Sequence, residues 1–250
     1  MLESFSVLQI ALSACIVFGA FVVRGMSGFG AGMIGIPLLA FLMPVHTAVP
    51  MFGLMVLFLF VFLSIRDWRD VARAELRLLI VPTLVGVAAG VTLFTNLDNR
   101  LLLQLLGGFL IGYALYVFAV HTIGLPEVTC SQRWAVPVGF AGAFIDTLFG
   151  GGGGTLVMIY LHMRKVGRQP FRATVAALWL AEMIARILGY GAAGYYTTDT
   201  LLMCALLLPL MGAGTWVGER LGNRISQEAF SKLMALLLLL AGASLLGKQG

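Results

Sequence analysis

The sequence predicts an all-α polytopic membrane protein made of two inverted repeats, and three observations predict it. Its 250 residues are 60% hydrophobic and only 11% charged, where soluble domains carry about 25% charged residues. A glycine-dense turn between apolar segments occurs twice, about half a chain apart. Loops that correspond under that duplication carry opposite charge character.

The first observation gives the spans. Residues 25–65, 78–97, 101–126 and 200–218 contain no Asp, Glu, Lys or Arg. Crossing the hydrocarbon core takes roughly 20 apolar residues in a helix, and these stretches supply that length repeatedly. The apolar segments fall near 5–23, 28–42, 49–65, 78–94, 101–120, 134–148, 153–163, 172–190, 200–218 and 230–247. That is five per half. Residues 1–124 form the first repeat, 125–133 a cytoplasmic connector and 134–250 the second. The amino terminus lacks a basic region and a small-residue cleavage site, so it reads as a first span and not as a removed signal. Cys15, Cys130 and Cys204 have no metal or redox spacing and read as inert thiols.

The second observation is the turn itself. Its first copy is Arg24-Gly-Met-Ser-Gly-Phe-Gly-Ala-Gly32 and its second Asp146-Thr-Leu-Phe-Gly-Gly-Gly-Gly-Gly-Thr155. An offset of 123 lays Gly28 and Gly30 on Gly151 and Gly153, and Gly19-Ala20-Phe21 on Gly142-Ala143-Phe144. Pro82 and Pro209 match at an offset of 127, and the pairs Gly86/Gly90 and Gly214/Gly218 at 128. Small-xxx-small pairs of this kind let helices approach closely in lipid, so those four glycines read as packing residues. The segments 134–148 and 153–163 are too short for two comfortable crossings, which favours a re-entrant or broken-helix hairpin. Irregular backbone at membrane depth survives only against protein or a water-filled cavity, and inverted repeats with broken helices are a recurring transporter design.

The third observation orients the chain. Loop 66–77 carries four arginines and its mate near Tyr195–Asp199 none; loop 163–172 carries four basic residues and its mate, Met43–His46, none. Under the positive-inside rule the corresponding loops lie on opposite faces. With Arg133, Arg220, Arg224 and Lys232, twelve of the sixteen basic residues face the cytoplasm. Both termini are then extracytoplasmic, in a bacterial plasma membrane. The net charge of +5 follows from this topology and points to no nucleic-acid partner.

Glycine-rich helix starts leave amide N–H groups bare, where an anion can bind. The expected anion-binding residues are Arg24, Gly25, Ser27, Gly28, Phe29 and Gly30 in the first turn, and Gly150, Gly151, Gly152, Gly153, Gly154 and Thr155 in the second. Both turns would serve one site, with the Arg24 guanidinium as counter-charge or as an interfacial, snorkelling group. Asp146 is left with three roles: pairing Arg24, capping the following turn, or carrying a coupling proton. Glu182 and Arg186, at i and i+4 in an apolar helix, read as a mutually neutralised pair with a structural or coupling role. His46, His121 and His162 show no ligand spacing. No cofactor and no metal centre is expected.

Gly30-Ala-Gly-Met-Ile-Gly35 matches GxGxxG in form, but the surroundings are membrane and the next acid is Asp67, so no dinucleotide site follows. The run 150–154 lacks the Lys-Ser/Thr of a phosphate loop. An intramembrane enzyme would need a motif such as HExxH or GxSxG, and neither is present. A channel shares every feature above with a carrier and stands as the alternative.

The run Gly28-Phe-Gly-Ala-Gly-Met-Ile-Gly-Ile-Pro37, the run Gly150–Thr155 and the hydropathy layout together resemble the TauE/SafE family of membrane proteins. The second run has no counterpart of Pro37. The resemblance spans essentially the whole chain. It implies a secondary permease that moves small sulfur-containing or organic anions such as sulfite, organosulfonates or sulfoacetate-like compounds, with export the expected direction. The partners are then a small anionic substrate and the lipid bilayer; a homodimer is compatible with this reading.

Overall fold

Ser6 and Gln9 start the first helix reciprocally. The Gln9 amide N–H donates to Ser6 Oγ at 3.2 Å, and the Ser6 amide to Gln9 Oε1 at 2.8 Å, a capping box that satisfies two donors a helix start would strand. From here the computed structural model describes residues 6–27, 30–123, 129–221 and 227–247. Among them it is all-α, with no strand. The helices are α1 (Val7–Ser27), α2 (Ala31–Leu39), α3 (Val45–Asp67), α4 (Arg73–Asn96), α5 (Asn99–Ile123), α6 (Ala135–Phe149), α7 (Gly154–Met163), α8 (Arg168–Ala192), α9 (Thr198–Leu221) and α10 (Gln227–Gly247). Side chains cap several of the others: Asp98 Oδ1 accepts from the Leu101 amide at 2.8 Å and Thr197 Oγ1 from the Thr200 amide at 3.2 Å.

Among the described residues, four helices are long and apolar enough to cross a membrane: Val7–Met26, Arg73–Asn96, Arg168–Ala192 and Thr198–Leu221. Their outward faces expose Val81, Val85, Leu188 and Leu206, a surface that suits hydrocarbon and not water. Trp68, Trp134 and Trp216 are exposed near helix ends, where indole rings settle at the headgroup level. The Arg220 guanidinium lies over the Trp216 ring, 3.6 Å from its centroid. By contrast α6 has 15 residues and α7 has 10, so they are about 22 Å and 15 Å long. Neither crosses a core of about 30 Å alone.

The chain forms two compact units, and neither is a sequence half. The first comprises 1–52, 97–125 and 195–250; the second comprises 53–96 and 126–194. In the first unit α1 packs on α9, α10 on α5, and α2 on α1 and α10. A Cβ at Gly214 would come 2.6 Å from the Phe18 carbonyl oxygen, and one at Gly218 would come 2.8 Å from Gly25 Cα. Phe21 stacks on Phe52 at 5.3 Å, and the Val45 amide at the start of α3 donates to Asn99 Oδ1 at 2.7 Å.

In the second unit α4 packs on α6 and α8, with α7 against both α6 and α8. Here Gly86 abuts the Phe140 backbone, and a Cβ at Gly90 would sit 2.7 Å from Thr147 Cβ. The four glycines paired by the repeat are therefore packing residues. They do the same job in each unit: the helix carrying the pair meets the helix that leads into a glycine turn. Helix contacts of α1 with α9 in one unit thus correspond to those of α6 with α4 in the other. A core of Leu79, Ala135, Val157, Tyr160, Leu161, Val175 and Leu178 fills the second unit.

Candidate functional site

The first turn lies between α1 and α2, within the first unit. Gly30 adopts φ 90° and ψ 0°, a left-handed conformation that glycine enters without a steric penalty. It swings the chain straight into α2. Having no side chain, Gly30 cannot cap that helix, so the opening amides of α2 keep the unsatisfied donors of any helix start. A Cβ built on Gly30 meets no described atom within 4 Å.

Arg24, in the last turn of α1, is buried, and the acidic charge that acts on it is that of Glu219 on α9. Gly25 does a different job from the one expected of it. A Cβ there would lie 2.8 Å from Gly218 Cα and from the Glu219 amide nitrogen, so its bare Cα is covered by α9 and presents nothing to an anion. Gly28 and Phe29 lie outside the described residues, as does the side chain of Ser27.

The second turn, within the second unit, is built in another way. Gly150 ends α6 in the left-handed region (φ 72°), its amide donating to the Asp146 carbonyl oxygen at 2.8 Å. Gly152 is left-handed too, at φ 100°. Gly153, the counterpart of Gly30, has ordinary helical angles. Its requirement for glycine is packing: a Cβ would be 2.8 Å from the Gly142 carbonyl carbon and would overlap the oxygen. The Gly153 amide donates to Asp146 Oδ1 at 2.8 Å, and the Gly154 amide lies against the same carboxylate. The Thr155 and Leu156 amides turn back to Gly152 O and Gly153 O at 3.3 and 3.0 Å. The bare amides expected of Gly153 and Gly154 are therefore taken by the protein's own carboxylate. Of the three roles open to Asp146, capping is the one its hydrogen bond shows, with its carboxyl at the positive end of the α7 dipole. Gly151 and Gly152 remain half-buried.

Glu182 and Arg186 face the interior of the second unit, with side chains 3% and 2% exposed, and they pair as their spacing implies. Arg186 Nη2 donates to Glu182 Oε1, and Nη1 to the Asp146 carbonyl oxygen. Arg186 Nε has no acceptor among the described residues. The Tyr190 hydroxyl donates to the Thr147 carbonyl oxygen, and Thr147 Oγ1 to Ala143 O at 2.7 Å.

Sequence reasoning passed over three members of this neighbourhood. Trp179 lays its indole over Gly154, leaves Nε1 buried without an acceptor among the described residues, and meets Phe60 at 5.3 Å. Tyr190 was the second, and the spacing 182, 186, 190 on one helical face was the signal that would have found it. The third is a cluster at the loop end of the unit. Glu75 accepts from the Tyr160 hydroxyl at 2.6 Å and from Arg164 Nε at 3.0 Å, while Arg164 Nη1 donates to Cys130 O at 3.1 Å. An acid inside the basic run Arg73–Arg77 was its only trace in the sequence.

Long apolar helices, short paired hairpins and glycines at the crossings of α1 with α9, α4 with α6 and α5 with α10 define a multi-pass α-helical membrane protein with broken helices. The family model of the sulfite exporter TauE/SafE matches residues 12–245, nearly the full chain, and the chain belongs to that family of membrane transporters. No curated protein and no solved structure gives a match.

Proposed function

We propose that the protein is a secondary transporter of small sulfur-containing or organic anions, such as sulfite, organosulfonates and sulfoacetate-like compounds, and that it exports them across the bacterial plasma membrane. One observation carries the reading: the start of α2, where a left-handed Gly30 opens a helix that it cannot cap and no described atom lies within 4 Å of a Cβ built on it. An anion there meets N–H donors and the partial positive end of a helix dipole, about +0.5 of a charge. Arg24, buried in the same unit, adds a positive charge that Glu219 partly offsets. The family's description as sulfite exporter supports the substrate class and the direction. The α7 start, closed by Asp146, takes a structural part.

The test is counterflow in proteoliposomes. Vesicles preloaded with unlabelled sulfite should transiently concentrate labelled sulfite from outside, whereas thiosulfate, sulfonates and carboxylates tested as competitors rank the substrate class. A channel dissipates the gradient without the overshoot, and a protein that binds none of these anions is not this transporter.

The repeats 1–124 and 134–250 are inverted in this reading, with basic loops inside and both termini outside. The matching glycine crossings of the two units support the duplication, and the charge of loops 66–77 and 163–172 supports the inversion. Cysteines placed at Arg73 and Lys165 should react with impermeant reagents only from the cytoplasmic side, and one at Thr198 only from outside. Labelling of positions 165 and 198 from the same side would end the inverted-repeat model.

A further inference from the structure

The cluster of Asp146, Glu182 and Arg186 holds two carboxyls against one guanidinium, and all three residues are buried. The groups that reach it from each neighbouring helix set its charge. α6 supplies Asp146 and the carbonyl oxygen of Thr147. The turn into α7 supplies the Gly153 amide on Asp146 Oδ1; α7 carries Thr155 in its first turn, and Tyr160 and His162 in its last. α3 meets α8 through Phe60 on Trp179 and the Ser64 hydroxyl on the Ala176 carbonyl oxygen. α8 supplies Glu182, Arg186 and the Tyr190 hydroxyl. α4 supplies Gly90, Val91 and Phe94, which are apolar, against Thr147, Gly189 and Tyr190; its ionisable residues Arg73, Glu75 and Arg77 lie in its first turns. With both acids ionised the cluster carries one uncompensated negative charge away from water. A buried site sheds such a charge by taking up a proton.

The two acids are not equivalent. Asp146 has a backbone donor at 2.8 Å and the N-terminus of α7 to hold it as an anion. Glu182 has Arg186 Nη2, on a guanidinium that also serves the Asp146 carbonyl oxygen and whose Nε has no acceptor among the described residues. Adding a proton to Glu182 leaves Arg186 balanced by Asp146 and the cluster neutral. We infer that Glu182 is the coupling-ion site of the transporter: its carboxylate binds one proton in one half of the cycle and releases it in the other. No bond other than the O–H bond forms or breaks. The inference rests on the anion-transport reading and adds the ion that drives it.

Two measurements on the full-length protein in lipid test it. Infrared difference spectra between acid and alkaline buffer should show, apart from the bands of exposed acids, a protonated-carboxyl band at the high frequency of a group away from water. Glu182→Asp should move it to another frequency and Glu182→Gln should remove it. If that buried-carboxyl band survives Glu182→Gln, keeps its frequency in Glu182→Asp, or is absent at every pH, the inference is overturned whatever the transport result. In proteoliposomes, wild-type protein should accumulate labelled methanesulfonate, an anion that stays ionised across this range, when a pH gradient is imposed. Glu182→Gln, which has the shape of the protonated acid, should still exchange methanesulfonate at equal pH but lose the gradient-driven accumulation. Glu182→Asp, which keeps an acid, should recover it. Exchange by the wild type without a response to the pH gradient overturns the proton site alone. No exchange of methanesulfonate, sulfite or thiosulfate by the wild type overturns the transport reading and the coupling with it.

Discussion

Arg186→Met should destabilise the protein by about 3–5 kcal/mol, the usual penalty for removing one partner of a buried ion pair. Arg186 is the cation through which α8 meets the end of α6, bonding Glu182 on its own helix and the Asp146 carbonyl oxygen across the gap. Without it, two carboxyls share a buried space with no guanidinium. The Asp146 carbonyl oxygen still has the Gly150 amide at 2.8 Å, so the loss falls on the carboxyls and not on the backbone. Adding Glu182→Gln to Arg186→Met takes away the stranded acid and leaves Asp146 on its α7 amide, so most of the loss should return. Denaturant or thermal unfolding in a fixed detergent measures both. A double variant as unstable as the two single losses added together would show that the residues do not act as a pair.

The second large effect separates two glycines that an offset of 123 makes equivalent. Gly153→Ala places a methyl inside the Gly142 backbone, with main chain on both sides and no flexible side chain to move. The α6–α7 hairpin cannot close around it, and a loss beyond about 4–5 kcal/mol is expected, seen as aggregation on extraction. Sequence reasoning gives both positions the same part in one anion site. At Gly153 the structure changes that expectation, since even alanine breaks the fold. Gly30→Ala meets no described neighbour and suffers only the strain of a left-handed residue, about 1–2 kcal/mol. That variant should fold. Monodisperse elution of Gly153→Ala would contradict the packing role assigned to it.

These contrasts mark how far the sequence reaches. Helix positions were legible because charge-free stretches and loop arginines delimit them, and the observed helices begin and end close to those marks. The Glu182–Arg186 pair was legible because partners four residues apart share a helical face without help from any other element. The role of Asp146 was not, since its partner, the Gly153 amide, depends on how two left-handed glycines fold the turn back. Gly25 looked like part of the turn, yet the crossing of α1 with α9 uses it, and no local pattern announces a contact with a residue almost two hundred positions away. Tyr160 and Glu75, 85 residues apart, meet only because α4 and α7 both pack against α6 and α8. The compact units were hidden for the same reason. Each hairpin of one half packs on a glycine-bearing helix of the other, so proximity in sequence and proximity in space part company.

The central claim is that an anion is held at the open start of α2, and sulfite counterflow by Gly30→Ala tests it most directly. The added methyl sits at the helix start and meets no described atom within 4 Å, so it perturbs the site while leaving the helices where they are. The account predicts a variant that elutes as a single species, unfolds close to the wild type, and shows no sulfite overshoot. A folded Gly30→Ala protein that concentrates sulfite as the wild type does would contradict it.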